Sequence, residues 1–160
     1  MAREVITTSL LVIASIIATI ALINAVFPSL AQMASSFTSL ANNLNERVET
    51  NVDIIFVIAS SSTDTVNIWI KNIGSNKIPN TLIEKSDLFI YSSSMYLHVP
   101  YNDSSPPTWT YSFENGDGDD YWENGETINI TVQLSSLPAG EYTANFILYN
   151  GVSTKDTFSV

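Results

Sequence analysis

The chain has 160 residues, 6 Lys and Arg against 16 Asp and Glu, a formal net charge of −10, one His and no Cys. So acidic a balance argues against nucleic acid or an anionic lipid surface as the main partner, because phosphate attraction needs a basic face. The missing Cys removes disulfide scaffolds, thiolate metal sites and thiol nucleophiles, and a lone His98 leaves neither a multi-His metal site nor a Ser-His-Asp triad a natural reading, so the composition points away from an enzyme.

The charges divide the chain. After Arg3 and Glu4 none occurs until Glu46 and Arg47, so positions 5 to 45 are uncharged. The apolar run Val5–Phe27 is long enough, at ~1.5 Å per residue, to cross a ~30 Å hydrocarbon core. No basic region beyond Arg3 precedes it and no small-residue cleavage site follows it, so the segment is expected to be retained rather than removed as a secretory signal. From Pro28 to Thr50, Leu30, Met33, Phe37, Leu40, Leu44 and Val48 recur at spacings of three and four, which places them on one face of a helix otherwise made of Ala, Ser, Gln and Asn. One helix is therefore expected from about Glu4 to Thr50, with Pro28 as the point of a kink. Its small residues Ala14, Ser15, Ala18, Ala21 and Ala25 permit close approach of neighbouring helices. Leu11, Ile16, Ile20, Leu30, Met33, Phe37, Leu40 and Leu44 are the candidate assembly residues. Glu4, the awkward charge in such a core, is the candidate partner for a neighbour's N-terminal amine; the alternative is a charge at the interfacial helix end paired with Arg3.

Beyond Asn51 the period changes to two. Val52–Ala59 reads as a buried strand, Thr65–Lys71 alternates, and Asn72–Asn76 supplies a turn. Ser86–Tyr91 and Met95–Val99 are further candidates. The cleanest strand is Thr127–Leu134, with Ile128, Ile130, Val132 and Leu134 on one face and Thr127, Asn129, Thr131 and Gln133 on the other. Tyr142–Tyr149 follows, and Asn150-Gly151 signals a two-residue hairpin into Thr154–Val160. Seven or so such strands predict an immunoglobulin-like antiparallel sandwich. The fold class is thus α+β, a long hydrophobic N-terminal helix (1–50) followed by a β-sandwich head (51–160).

Three features of the head bear on chemistry. Glu114–Glu126 holds six carboxylates and no base. Counting from Asn115, Asp117, Asp119, Tyr121 and Glu126 fall at the ligand spacing of a Ca²⁺ loop, with Glu123 at the water-mediated position. Asp120 stands where that loop wants Gly, and strands flank it, so Ca²⁺ is an expectation without EF-hand architecture; a solvated acidic turn is the alternative. Asn102-Asp-Ser and Asn129-Ile-Thr are N-glycosylation sequons, making Asn102 and Asn129 candidate acceptors. Trp69, Trp109 and Trp122 read as core or subunit contacts before a sugar-binding surface. His98, in an apolar strand, reads as a hydrogen-bonded or partly exposed residue rather than a ligand.

The opening Arg3-Glu4-Val5-Ile6-Thr7-Thr8, then Ile68-Trp69-Ile70-Lys71-Asn72-Ile73-Gly74-Ser75, Trp109–Glu114, Trp122–Thr127 and Tyr149–Val160 together resemble the archaeal type IV pilin-like proteins of the archaellum, most closely the FlaG-type proteins. That resemblance implies helices bundled into a filament core with β-sandwich heads outside the cell. It departs at the start, where Met1-Ala2-Arg3 stands in place of the basic leader ending in Gly that precursors carry. The function expected is a structural subunit of an extracellular archaeal surface filament, inserted in the membrane before assembly and partnered by identical or homologous subunits. The alternatives are a FlaG-type accessory protein that links motor and envelope, or an anchored adhesin that binds the S-layer.

Overall fold

The computed structural model describes residues 2–160. A single helix, α1, runs from Ala2 to Glu49, and none of its residues is buried. Compactness divides the chain into one unit ending at Leu44 and another from Asn45 to Val160, so the last turn of α1 belongs with the head.

In the head, β1 (Val52–Ser60), β2 (Thr65–Asn72), β8 (Thr127–Gln133) and β6 (Thr108–Phe113) form an antiparallel sheet in the order β1-β2-β8-β6. A second antiparallel sheet has the order β10-β9-β4-β5, from β4 (Asp87–Tyr91), β5 (Tyr96–Val99), β9 (Glu141–Ile147) and β10 (Ser153–Ser159). The two-residue strands β3 (Ile78–Pro79) and β7 (Tyr121–Trp122) pair beside them, and one helical turn, α2 (Asn80–Ile83), follows β3. Both main sheets close on one apolar core. Val66, Ile68 and Ile70 of β2 meet Ile128, Ile130 and Val132 of β8 in register, and all six are inaccessible to solvent. Leu88, Ile90, Ala144 and Phe146 supply the facing layer, and Trp109 of β6 meets Phe146 of β9 edge-on, the ring centroids being 5.8 Å apart. This is the strict alternation of a sandwich, one face dry and one wet.

Three local readings differ from the sequence. Val52–Ala59 is an edge strand, not a buried one: a bulge between Ile54 and Phe56 shifts its register, and Ile55, Phe56 and Ile58 are exposed. The strand Thr108–Phe113 adds to those expected from the sequence: Trp109, Tyr111 and Phe113 alternate with Thr and Ser, Trp109 buried and Tyr111 and Phe113 half-buried against the core. The β9–β10 turn is longer than two residues. Leu148 N–H donates to Val152 O and Gly151 N–H to Leu148 O, both at 2.8 Å, with Gly151 at φ 82°, so three residues, Tyr149-Asn150-Gly151, make the loop. Glycine takes that left-handed position at no steric cost.

Candidate assembly and membrane surface

Along α1 the apolar side chains have no intramolecular cover. Leu11, Ile16 and Ile20 are as exposed as Leu30, Met33, Phe37, Leu40 and Leu44, all between 53% and 67%. The helix is long and apolar enough to cross a membrane. Its polar side chains near the N-terminus suit that environment. The hydroxyls of Thr7, Thr8, Ser9, Ser15 and Thr19 each donate to a carbonyl three or four residues earlier, at 2.7–3.0 Å. A hydroxyl satisfied inside its own helix removes most of the cost of entering hydrocarbon. Glu4 lies in the first turn, beside the positive end of the helix dipole.

At the other end the last carbonyls of α1 are capped by the head. Thr50 donates to Glu46 O through both its N–H (3.0 Å) and its hydroxyl (2.7 Å), while Ser75 and Asn76 N–H donate to Glu49 O at 2.9 and 3.1 Å. Asn51 O accepts from Ile73 and Gly74 N–H at 2.9 and 2.8 Å. Asn76 and Asn150 each donate an amide to Thr50 Oγ1 at 3.0 Å, and the Tyr149 hydroxyl donates to Glu46 Oε1 at 2.6 Å. This collar replaces the water that a helix C-terminus otherwise needs. Sequence reasoning passed over it: its donors sit in turns rich in Asn and Gly, and nothing in those turns says what they face.

Two tyrosines of the head are held neutral. Burial, then the hydrogen bond and negative charge of Glu46, push Tyr149 up to about 12. Burial, then Tyr101 and Glu84, push Tyr111 up to about 12 as well. A folded-state pKa above the unfolded value of ~10 contributes stability that is whole below pH ~10 and lost as pH rises through ~12. The melting temperature of the head is therefore expected to hold between pH 8 and about 10 and to fall between about 10 and 12. Tyr149→Phe is expected to shallow that fall; a curve unchanged by the substitution would show that Tyr149 is not its source. Circular dichroism melts across this range measure both.

In the acidic loop the candidate ligands hold the backbone. Glu126 accepts Asp117 N–H at 3.1 Å through one oxygen and Glu123 N–H at 2.8 Å through the other. Asp117 accepts Asp119 N–H at 3.1 Å, Asp119 accepts Tyr121 N–H at 2.8 Å, and Asn115 Oδ1 accepts Thr127 N–H at 2.6 Å. Tyr121 is exposed on β7, and Glu123 pairs with Lys77. Among the described residues no three His, Asp or Glu side chains gather as a metal-holding group.

The two sequons sit differently. Asn102 is exposed on a turn at φ 47°, whereas Asn129 is half-buried on the central strand β8 between Trp69 and Ser112. Trp109 and Trp122 are core residues without solvent access. Trp69 lies on the outer face, 5.6 Å from Phe56 between ring centroids. His98 is exposed, with Nε2 3.2 Å from Asp87 Oδ1.

Comparison with known proteins places this architecture. The model of the archaeal-type flagellin family matches residues 2–158. An uncharacterised protein of Archaeoglobus fulgidus is 44% identical over 164 residues, 99% of each chain. Among solved structures, the archaellum periplasmic stator protein FlaG from Sulfolobus acidocaldarius is 23% identical, covering 68% of this chain and 99% of that one, with a TM-score of 0.58. The FlaF–FlaG stator complex of the same organism matches at 24% identity and TM-score 0.56, covering 67% of this chain and 87% of that one. At these identities the solved structures speak for the fold.

Proposed function

The chain belongs to the archaeal-type flagellin family, and from that premise we propose that it is a membrane-anchored accessory component of the archaellum, of stator type, and not an enzyme. The first half of α1 sits in the bilayer and the head stands outside it, offered to other archaellum proteins. One observation carries the reading: a helix of membrane-spanning length, uncharged from Val5 to Asn45 and with none of its residues buried, is joined to a head with the fold of a periplasmic stator protein. Charge agrees with the orientation. Arg3 and Glu4 cancel, so the whole net charge of −10 lies beyond position 45. Arg3 borders the span directly, and basic residues beside a span favour the cytoplasmic side. By analogy with the solved complex of two stator proteins, the head's partner is a second archaellum protein.

The filament-subunit reading has one specific support, the continuation of the apolar stripe past a single bilayer thickness to Val48. Fractionation separates the two. The full chain is expected in cell membranes, resistant to high salt and released by detergent, and deletion of residues 2–27 is expected to free the head into the soluble fraction. Recovery of the full chain in sheared extracellular filaments, and not in membranes, would overturn the accessory reading in favour of the filament.

A further inference from the structure

The helix is too long for its anchor. At ~1.5 Å per residue the 48 residues of α1 extend for about 72 Å, whereas a hydrocarbon core of ~30 Å takes up about 20 of them. Roughly half of α1 therefore emerges into water, carrying Leu30, Met33, Phe37, Leu40 and Leu44 exposed. These five follow a seven-residue repeat, with Leu30, Phe37 and Leu44 at its first core position (a) and Met33 and Leu40 at its second (d).

The same register runs backwards through the apolar run. Ile16 and Ile23 fall at a, and Val5, Val12 and Val26 at d. The two interruptions, Ser9 and Thr19, turn their hydroxyls onto carbonyls of their own helix. A repeat of 3.5 residues sustained from Val5 to Leu44 is the pattern of a left-handed supercoil. Within the emergent half the rest of the surface is Ala, Gln, Ser, Thr and Asn, so the stripe is too narrow for packing into a globular core and has the width of a coiled-coil seam. Pro28 falls on the face opposite the seam. The next d position is Arg47, whose guanidinium lies beside Gly151 of the head, and the seam stops there.

We propose that Leu30–Leu44 of α1 forms a parallel, in-register coiled coil with a second copy of this chain, on the outer side of the membrane. The proposal rests on the anchored reading above. Three features select a copy of the same chain. In a parallel pair the core residues meet their own duplicates while each position flanking the seam on one side faces a position flanking it on the other; those positions here are Ser29, Ala34, Ser36, Ala41 and Asn43, without a charge among them, so nothing repels an identical helix. The same absence leaves nothing by which a foreign helix could be chosen, since partner choice in coiled coils rests on those flanking charges. Finally, copies anchored in one membrane with one orientation arrive parallel, at equal depth and at high effective concentration. Five half-exposed side chains per copy cover on the order of 1,000 Å² in the pair, enough for a specific contact at the small end of the range.

The natural absence of cysteine makes the test direct. Single cysteines are placed one at a time along residues 29–45 of the full chain, and membranes are oxidised with a thiol-specific oxidant. Disulfide dimers are expected at Leu30→Cys, Phe37→Cys, Leu40→Cys and Leu44→Cys, and at least ~10-fold less at Ser35→Cys and Asn42→Cys, which face away. A yield that does not follow the 3.5-residue period, or no dimer, in chains that fractionate with the membrane would overturn the coiled coil and leave the anchor standing. Cross-linking of Leu40→Cys to a protein of another mass would do the same. The staggered contacts of a filament predict no such in-register dimers. Chains recovered outside the membrane fraction would overturn both readings.

Discussion

Gly74→Ala is expected to lower the stability of the head by about 3 kcal/mol, with a drop in melting temperature of roughly 10 °C. Gly74 is buried at the point where the β2–β3 turn passes the end of α1. A methyl group there would lie 2.4 Å from both Asn51 N and Glu49 O, and 3.1 Å from Thr50 C, all of them backbone atoms that no rotamer change can move. Relief requires the turn to retreat, and retreat breaks the bonds that the turn makes. Those are Gly74 N–H to Asn51 O and Asn72 Oδ1, Ile73 N–H to Asn51 O, and Ser75 and Asn76 N–H to Glu49 O. Thermal unfolding of the full chain in detergent, followed by circular dichroism, measures the effect. A variant that melts within 2 °C of the parent would mean that the collar adds nothing to the head's stability.

Trp122→Ala is expected to cost more, about 4 kcal/mol, through the cavity left by the largest class of side chain. Trp122 is without solvent access, and its indole N–H donates to Glu126 O at 3.0 Å. Its own carbonyl accepts Asn72 Nδ2 at 2.9 Å. The Asn72 amide also reaches Asn76 O at 3.0 Å, so the tryptophan and the collar share one polar hub in the core. Trp122→Phe separates the two contributions. It keeps most of the volume and loses the indole donor, for an expected cost of about 1–2 kcal/mol, because Glu126 O still accepts Asn72 N–H. Urea midpoints of the three proteins at constant slope test this ordering; equal losses in Ala and Phe variants would assign the whole effect to the hydrogen bond.

Much of this molecule is legible without coordinates, and the physical reasons are local. The uncharged stretch from Val5 leaves no alternative to a helix that seeks a non-aqueous neighbour, and the hydroxyls of its apolar run, Thr7, Thr8, Ser9, Ser15 and Thr19, find partners one turn back. In β2 and β8 the side-chain period of two announces one dry and one wet face, and the register Ile68↔Ile130 confirms it residue by residue. Legibility fails where tertiary context decides. Ile54-Ile55-Phe56 reads as continuous burial, yet the bulge turns Ile55 and Phe56 outward together. β3 and β7 are shorter than any repeat that could mark them. The collar is the clearest case: its contacts join positions 49, 74, 76 and 150, and no window along the chain contains them all.

The bulge in β1 has a consequence for how the protein behaves in crowded solution. Near Ile54 the strand's margin is occupied, since its N–H donates to Thr154 Oγ1 at 3.2 Å and Asp53 accepts from the same hydroxyl. Further along, Phe56 and Ile58 offer an oily flank on the border of the sheet, the sort of template on which unrelated chains stack into insoluble ribbons. The surplus residue Ile55 spoils the flatness such stacking requires. The head thus carries, in one inserted amino acid, its own protection against clumping.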